Sequence, residues 1–338
     1  MIKTMTTNLL FLSAGRRVKL LNNARQSLQN KLKIVAADMN PTAPALYVAD
    51  KKYIVPQICD KGYIDCVIEI CKRENIHAIT TLIDPEIEIL SNNRCTFEEM
   101  GITVLAPDSK TAKICFNKYE MFKFLSENAV PTPLTFHSLC CFKEALNKGE
   151  ISFPVFIKPI SGSGSVGAHK INSMTELEYE INLGKYDYII QEYMPNGDCN
   201  ADVYVDTISN MAVSAFCKRK IETQIGGANK TVSFKDEKLF RFIRDICNIL
   251  EFSGPVDMDF FYKDGKYHLS DINPRFGGAY LHAYGAGVDF FKLIQNNING
   301  FENTPSFGNY EEGIVMMMYD DVVICKNEEL INQNFSVL

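Results

Sequence analysis

The stretch PVDMDFFYKDGKYHLSDINPRFGG, from Pro255 to Gly278, decides how the rest of the chain is read. Two strand-like segments flank Asp264-Gly265, a pairing that signals an antiparallel β-hairpin. Register matters here, because a strand presents alternate residues to opposite faces. A two-residue turn at Asp264-Gly265 sends Asp259 and Asp271 to opposite faces. A three-residue loop, Lys263 to Gly265 with Gly265 left-handed, reverses that parity. Asp257, Asp259 and Asp271 then share a face, with Asp271 diagonal to Asp259 and Asn273 two residues further along. Carboxylates brought together repel unless a cation or protons intervene. Oxygen donors without histidine or cysteine suit a hard cation, Mg²⁺ first, usually shared with phosphate oxygens. A solvated polar face beside a turn is the competing reading.

Three other segments supply partners. In FIKPISGSGSVGAHKI, Phe156 to Ile171, Lys158 ends an apolar strand and Gly162, Gly164 and Gly167 punctuate the loop that follows. Its glycines and serines, Ser161 to Ser165, let backbone N–H groups approach a phosphate, and Lys158 supplies positive charge. No Gly-Lys-Ser/Thr follows, so this is not a Walker loop; a flexible hairpin tip is the alternative. In IIQEYMPNGDCNADVYV, Ile189 to Val205, a strand ending at Gln191, Glu192, Tyr193 and Met194 can offer backbone groups to a purine edge. Asp198, at the bend after Gly197, can reach ribose hydroxyls. KRKIETQIGG, Lys218 to Gly227, places Lys218 and Lys220 on one face of a strand, with a solvated charge run as the bland alternative.

The first third alternates strand and helix signals: NLLFLSAG, KIVAAD, KYIVP, AITTLID and GITVLAP, with helices between, one from about Tyr63 to Glu74. That alternation predicts a parallel sheet covered on both faces. After about Asp108 the pattern turns to antiparallel hairpins and single helices, so the fold class is α/β plus α+β. In SAGRR, Ser13, Gly15 and Arg16 stand where a strand meets a helix and can hold an anion. Glu86, after the fourth strand in Asp84-Pro85-Glu86, lies at the same carboxyl edge. Asp38 ends the second strand as an NAD-binding acid does, but the glycine fingerprint is missing.

Composition narrows the classes. A net charge of −6 over 338 residues gives no general attraction to nucleic acid or an anionic membrane. Eleven cysteines are too dilute for a disulfide scaffold and form no Cys-x-x-Cys pair, so reduced thiols and a cytoplasmic location are expected. No apolar run approaches the roughly 20 residues that span a bilayer. The five histidines form no metal or triad spacing, and no G-x-S-x-G elbow is present.

Taken in order, the motifs resemble the ATP-grasp superfamily, most of all the large subunit of carbamoyl-phosphate synthase and its stand-alone relatives. The resemblance implies an N-terminal parallel-sheet (pre-ATP-grasp, Rossmann-like) lobe over residues 1–114 and an ATP-grasp domain over 115–338. A small lid lobe is expected at about 120–190, and a central antiparallel-sheet lobe at about 191–325. It makes Lys118 and Lys158 the nucleotide-phosphate lysines, assisted by Ser161, Gly162, Ser163, Gly164 and Ser165. Glu192, Tyr193 and Met194 fall where adenine is held, Asp198 where ribose is held, and Lys218 and Lys220 toward triphosphate or substrate. Asp259, Asp271 and Asn273 fall on the ligands of Mg²⁺, two ions in this family, with Mn²⁺ as an alternative metal. Arg275 falls on the arginine that steadies transferred phosphoryl charge, with Gly277 and Gly278 beside it on the substrate side. Asp259, Asp271 and Asp198 are Asp where Glu is usual, so shorter side chains must reach from a shifted backbone.

The activity so implied is an ATP-dependent ligase joining a small-molecule carboxylate to an amine through an acyl phosphate, with ATP converted to ADP. Phosphoryl transfer to a hydroxyl or carbamate, and a nucleotide-responsive subunit without ligase activity, stay open as alternatives. The resemblance also leaves a homodimer open.

Overall fold

The buried strands of the first third form the sheet on which the molecule is built. The computed structural model describes residues 6–162, 166–195, 197–224 and 227–330, and the following holds for those residues. Strands β1 (Thr7–Leu12), β2 (Leu32–Asp38), β3 (Lys51–Ile54), β4 (Ala78–Thr81) and β5 (Thr103–Val104) make a parallel sheet in the order β3-β2-β1-β4-β5. Along β1, Leu9 and Phe11 enter one core with Leu20, Leu21 and Ala24 of α1 (Val18–Leu28). Leu10 and Leu12 enter another with Tyr63, Val67 and Ile70 of α2 (Tyr63–Glu74). Both faces are therefore covered, which is why the strand reads as a continuous apolar run rather than an alternation. Helices α3 (Asp84–Asn92) and α4 (Arg94–Glu99) complete the lobe.

Two capped helices lead out of it. Asp108 caps α5 (Ser109–Phe116), and the Asn117 side chain accepts from the N–H groups of Tyr119 and Glu120 at the start of α6 (Lys118–Glu127). That cap fixes Lys118 in the first turn of a helix. Strands β6 (Thr135–Phe136), β7 (Val155–Pro159), β8 (His169–Ile171) and β9 (Tyr188–Glu192) form a four-stranded antiparallel sheet in the order β6-β9-β7-β8. With α7 (Leu139–Asn147) and α8 (Met174–Asn182) it encloses a small separate core of Phe142, Val155, Ile157, Leu177 and Ile190.

The third sheet has six strands: β10 (Cys199–Val205), β11 (Ala212–Gln224), β12 (Gly227–Phe234), β13 (Gly254–Lys263), β14 (Lys266–Asn273) and β15 (Val315–Met317). Their order is β14-β13-β10-β11-β12-β15, antiparallel throughout. Helix α9 (Glu237–Ile249) packs Leu239, Phe240 and Ile243 into the core on one face. Helices α10 (Tyr280–Gly285) and α11 (Phe290–Ile298) pack with α1, so the main core runs on from the first lobe into the third.

The hairpin differs from expectation in an instructive way. Lys263 pairs with Lys266, leaving Asp264 and Gly265 as a two-residue turn with φ of 51° and 78°. Two left-handed central residues match the twist of the flanking strands, so the tight turn wins over the three-residue loop. Parity is corrected instead by a β-bulge: Asp259 faces Asp271, the next pair is Phe260 with Leu269, and Ser270 is the extra residue. Asp271 consequently lies directly across from Asp259, not diagonal to it.

Gly197 shows how closely the strand entering β10 meets this hairpin. Its φ is +78°, and a Cβ there would lie 2.4 Å from the Tyr262 carbonyl oxygen. Gly197→Ala is expected to lower stability by about 2 kcal/mol or more, read as a shifted urea midpoint; a shift under about 0.5 kcal/mol would contradict the close approach.

Candidate active site

Alternate residues of four neighbouring strands put their polar side chains on one face of the six-stranded sheet. From β10 come Asn200 and Asp202, from β11 Lys218 and Lys220, from β13 Asp257 and Asp259, and from β14 Asp271 and Asn273. Asn200 lies between Lys218 and Asp259, and Asp257 between Asp202 and Asn273. Every residue of β10 is buried, yet two of its side chains are polar, so each needs a partner. The Asn200 amide donates to Asp257 at 2.7 Å and to Asp259 at 3.1 Å.

Lysines neutralise the carboxylates. Lys220 Nζ lies 2.8 Å from Asp259 and 2.9 Å from Asp198. Burial works against its charge, but those two acids outweigh it and raise its pKa above the usual lysine value. Burial likewise works against Asp259, yet Lys220 and the Asn200 hydrogen bond hold it below the usual carboxylate value. Lys118 Nζ sits 3.3 Å from Asp271 and donates to the Gly162 carbonyl at 3.1 Å, tying the glycine loop to the hairpin. Lys158 Nζ donates to the carbonyl of the bulged Ser270 at 3.4 Å. Burial brings the Lys158 ammonium down to about 8, while Asp271 pulls the other way.

Toward the first lobe the charges interlock again. Arg275 Nε and Nη2 reach Asp84 at 2.6 and 3.0 Å, and Nη1 lies 3.8 Å from Asp257. Asp257 is pushed up to about 6 by burial and by Asp259 and Asp202. Gly277 has no room for a side chain, since a Cβ would come within 2.7 Å of the Asp202 and Asp257 carboxylates. Arg17, at the start of α1, donates to the carbonyls of Gly277 at 2.9 Å and Phe276 at 3.2 Å.

These residues line a cleft of about 780 Å³ between the four-stranded and six-stranded sheets, with one wall from the first lobe. Lys118, Lys158, Ser161, Gly162, Glu192, Tyr193, Met194, Asp198, Lys220, Asp259, Asp271, Asn273, Arg275 and Gly278 all border it, as expected positions. Phe156, Val166, Ala168 and Phe261 add apolar surface near Tyr193 and Met194 in the lining. The Glu192 side chain is engaged with Lys263 at 2.6 Å. Ser163, Gly164 and Ser165 lie outside the described residues.

Five expected positions are corrected. Lys218 is on the same face but wholly buried, where its ammonium bonds Asp202, because a buried charge must be paired. Ser13 and Gly15 belong to the turn after β1, and the Gly15 N–H donates to Asp38 at 2.7 Å rather than to the cleft. Arg16 projects to the surface near Asp320, whereas its neighbour Arg17 turns inward. Glu86 is buried under the Tyr63 and Thr81 hydroxyls, which donate to it; Asp84 is the acid of that segment on the cleft.

The donor set fits a hard cation: two opposed carboxylates and an amide, oxygen donors all, beside lysines suited to phosphate. Among the described residues no three His, Cys, Asp or Glu side chains are grouped to hold a metal unaided. Such a set needs phosphate oxygens to complete it, as Mg²⁺ sites commonly do. Arg17, Asn200 and Asp202 escaped the sequence reading of the site, and Asp84 entered it only as part of Asp84-Pro85-Glu86. For Asn200 and Asp202 the signal existed, as polar residues two apart in an apolar strand. For Arg17 none did, because the direction of a side chain at a helix start is set by packing.

Both lobes have counterparts among known proteins. Residues 9–105 match a PylC-like N-terminal domain and residues 115–279 an ATP-grasp domain. The formate-dependent phosphoribosylglycinamide formyltransferase of Wolinella succinogenes is 25% identical over 262 residues, 72% of this chain and 64% of that protein. The chain thus spans somewhat under two thirds of that relative. The ADP complex of N5-carboxyaminoimidazole synthetase from Staphylococcus aureus superposes with a TM-score of 0.74 at 15% identity, over 93% of this chain and 82% of that one. The biotin carboxylase domain dimer of Hydrogenobacter thermophilus 2-oxoglutarate carboxylase, holding MgADP and bicarbonate, gives 0.70 at 16% identity, over 91% and 73%. The fold is shared with these proteins. No described helix is long and apolar enough to cross a membrane.

Glu86 gives a test of the first lobe. Burial raises its pKa to about 7 from 4.5. A folded-state pKa above the unfolded one means stability that is full below about pH 4.5 and lost as pH rises through 7. Glu86→Gln does not titrate, so between pH 5 and 8 it should gain about 2 kcal/mol on the wild type in urea denaturation. A difference that does not change with pH would show that Glu86 is charged throughout.

Proposed function

Since residues 115–279 form an ATP-grasp domain, we propose that this chain is an ATP-dependent carboxylate–amine ligase that works through an acyl phosphate. The observation that carries the reading is Asp259 placed directly opposite Asp271, with Lys118, Lys158 and Lys220 converging around them in one cleft. The functional division falls near residue 114, with the lid at about 120–190 closing on the central sheet.

ATP lies with its adenine against Tyr193 and Met194, its ribose by Asp198 and its phosphates toward Lys118 and Lys158. Asp259, Asp271 and Asn273 would hold Mg²⁺, which when bound neutralises phosphate charge and polarises the γ-phosphoryl group. An oxygen of the substrate carboxylate attacks the γ-phosphorus, the bond to the β-phosphate oxygen breaks, and ADP leaves. The amine then attacks the acyl carbon, expels inorganic phosphate and loses a proton, leaving an amide. The obstacle in the first step is the meeting of two anions. Lys158 and Arg275 are placed to offset that charge as it shifts, which is where fixed cations lower a barrier most. The glycine loop, tied to the hairpin through Lys118, keeps water from the acyl phosphate. The Wolinella relative's name, formate-dependent, supports formate or a similarly small carboxylate as the activated group.

Asp271→Asn keeps the shape of the side chain and removes its charge; ATP turnover should fall at least about a hundredfold while the thermal midpoint stays close to wild type. Lys158→Met should abolish the thermal shift that Mg-ATP induces. ADP release screened over formate, acetate and the amino acids, with mass detection of the product, tests the whole reading. Full turnover by Asp271→Asn, or a stable phosphorylated product formed with no amine present, would overturn it.

A further inference from the structure

We infer that Arg17 is a substrate-binding cation of the first lobe, which with Arg275 forms a corner of the cleft that takes the carboxylate of the substrate to be activated. The inference rests on the ligase reading and names a contact that the ATP-grasp motifs do not contain.

The two guanidinium groups border the same cleft but differ in how their charge is met. Arg275 has one hydrogen bond to Asp84, a second close charge contact with it through Nε at 2.6 Å, and another carboxylate, Asp257, at 3.8 Å. Arg17 is half-buried and donates only to the carbonyl oxygens of Phe276 and Gly277. Among the described residues no carboxylate lies within 4.0 Å of it. The acids that act on it, Asp257, Asp84 and Asp202, do so from further away. A guanidinium has five N–H donors, so most of its bonding capacity remains open on the cleft side.

A half-buried cation whose nearest acids all lie beyond 4.0 Å has its charge only partly met. Burial and the nearness of Arg275 bring Arg17 down to about 10, so it is still charged near neutral pH, and a bound anion would meet the remainder. A carboxylate matches the planar fork of donors. Gly278 borders the cleft beside Arg17, and a Cβ there would already be in van der Waals contact with Arg17 Nη1 at 3.7 Å, so the missing side chain leaves that corner uncrowded. Paired with the fork, the carboxylate is fixed in plane, and either oxygen still has a lone pair to offer phosphorus. The first lobe would then do more than carry the nucleotide domain: it would select the anion.

The test is calorimetric titration with acetate and with inorganic phosphate, on the full chain with and without Mg-AMPPNP. Acetate should saturate the wild type, and Arg17→Met should weaken it at least tenfold. Arg17→Lys, which keeps the charge but loses the fork, should lie between. Arg25→Met, on the same helix but paired with Asp50 at the surface, should bind acetate as the wild type does. Should Arg17→Met not fold, Arg17→Lys decides: wild-type affinity in it overturns the inference. It is overturned equally by acetate that does not saturate the wild type, by Arg17→Met within twofold of wild type, or by phosphate binding more tightly than acetate. Failure of Mg-AMPPNP to bind would sink the ligase reading separately, while the nucleotide-free titration would still decide Arg17.

Discussion

Repulsion among carboxylates crowded onto one sheet face is the constraint on which the rest of the structure depends. Asp257, Asp259 and Asp271 stand on two neighbouring strands, with Asp202 on the next. A sheet tolerates such crowding only if cations are held equally close. Lys220 and Lys118 are therefore placed on the acids themselves, and Lys218 is buried on the same face against Asp202. The cluster keeps its charge where the cleft can use it, because the counter-ions come from side chains that a nucleotide can draw away.

The same charges connect the lobes. Lys118 starts a helix outside both antiparallel sheets, yet its ammonium touches the glycine loop and the hairpin together. Lys158, from the four-stranded sheet, reaches the Ser270 carbonyl that the bulge leaves free of the ladder. Asp84 of the first lobe grips Arg275 of the third, and Arg17 holds the backbone beyond it. The four-stranded sheet has a small core of its own, and Lys118 and Lys158 tie it to the other lobes at the cleft through polar contacts.

Much of this was legible in the chain. Helix α2 lies where its periodicity put it, and the parallel first lobe followed from apolar runs alternating with amphipathic stretches. That Asp259 and Asp271 share a face was foreseen, but through the wrong device, and as diagonal rather than opposed neighbours. A turn and a bulge both change parity, and local sequence does not say which of the two a hairpin uses. Arg16 was the arginine expected at the anion site, but the packing of α1 against α10 and α11 left it outside and brought Arg17 to the cleft. Glu86 and Asp84 parted in the same way, one to the core and one to the cleft.

The amino-acid sequence by itself determined the layer order, the hairpin, the lysines at strand and helix ends, and the chemistry that oxygen donors and ammonium groups can support. Those features depend on periodicity and residue type, which are local. Tertiary structure alone decided which charges meet. A guanidinium in residue 17 and a carbonyl in residue 277 are separated by most of the chain, and only the packing of the first lobe on the third brings them to 2.9 Å. Pairing of buried charge depends on distance and dielectric in three dimensions, and neither is written in the order of the residues.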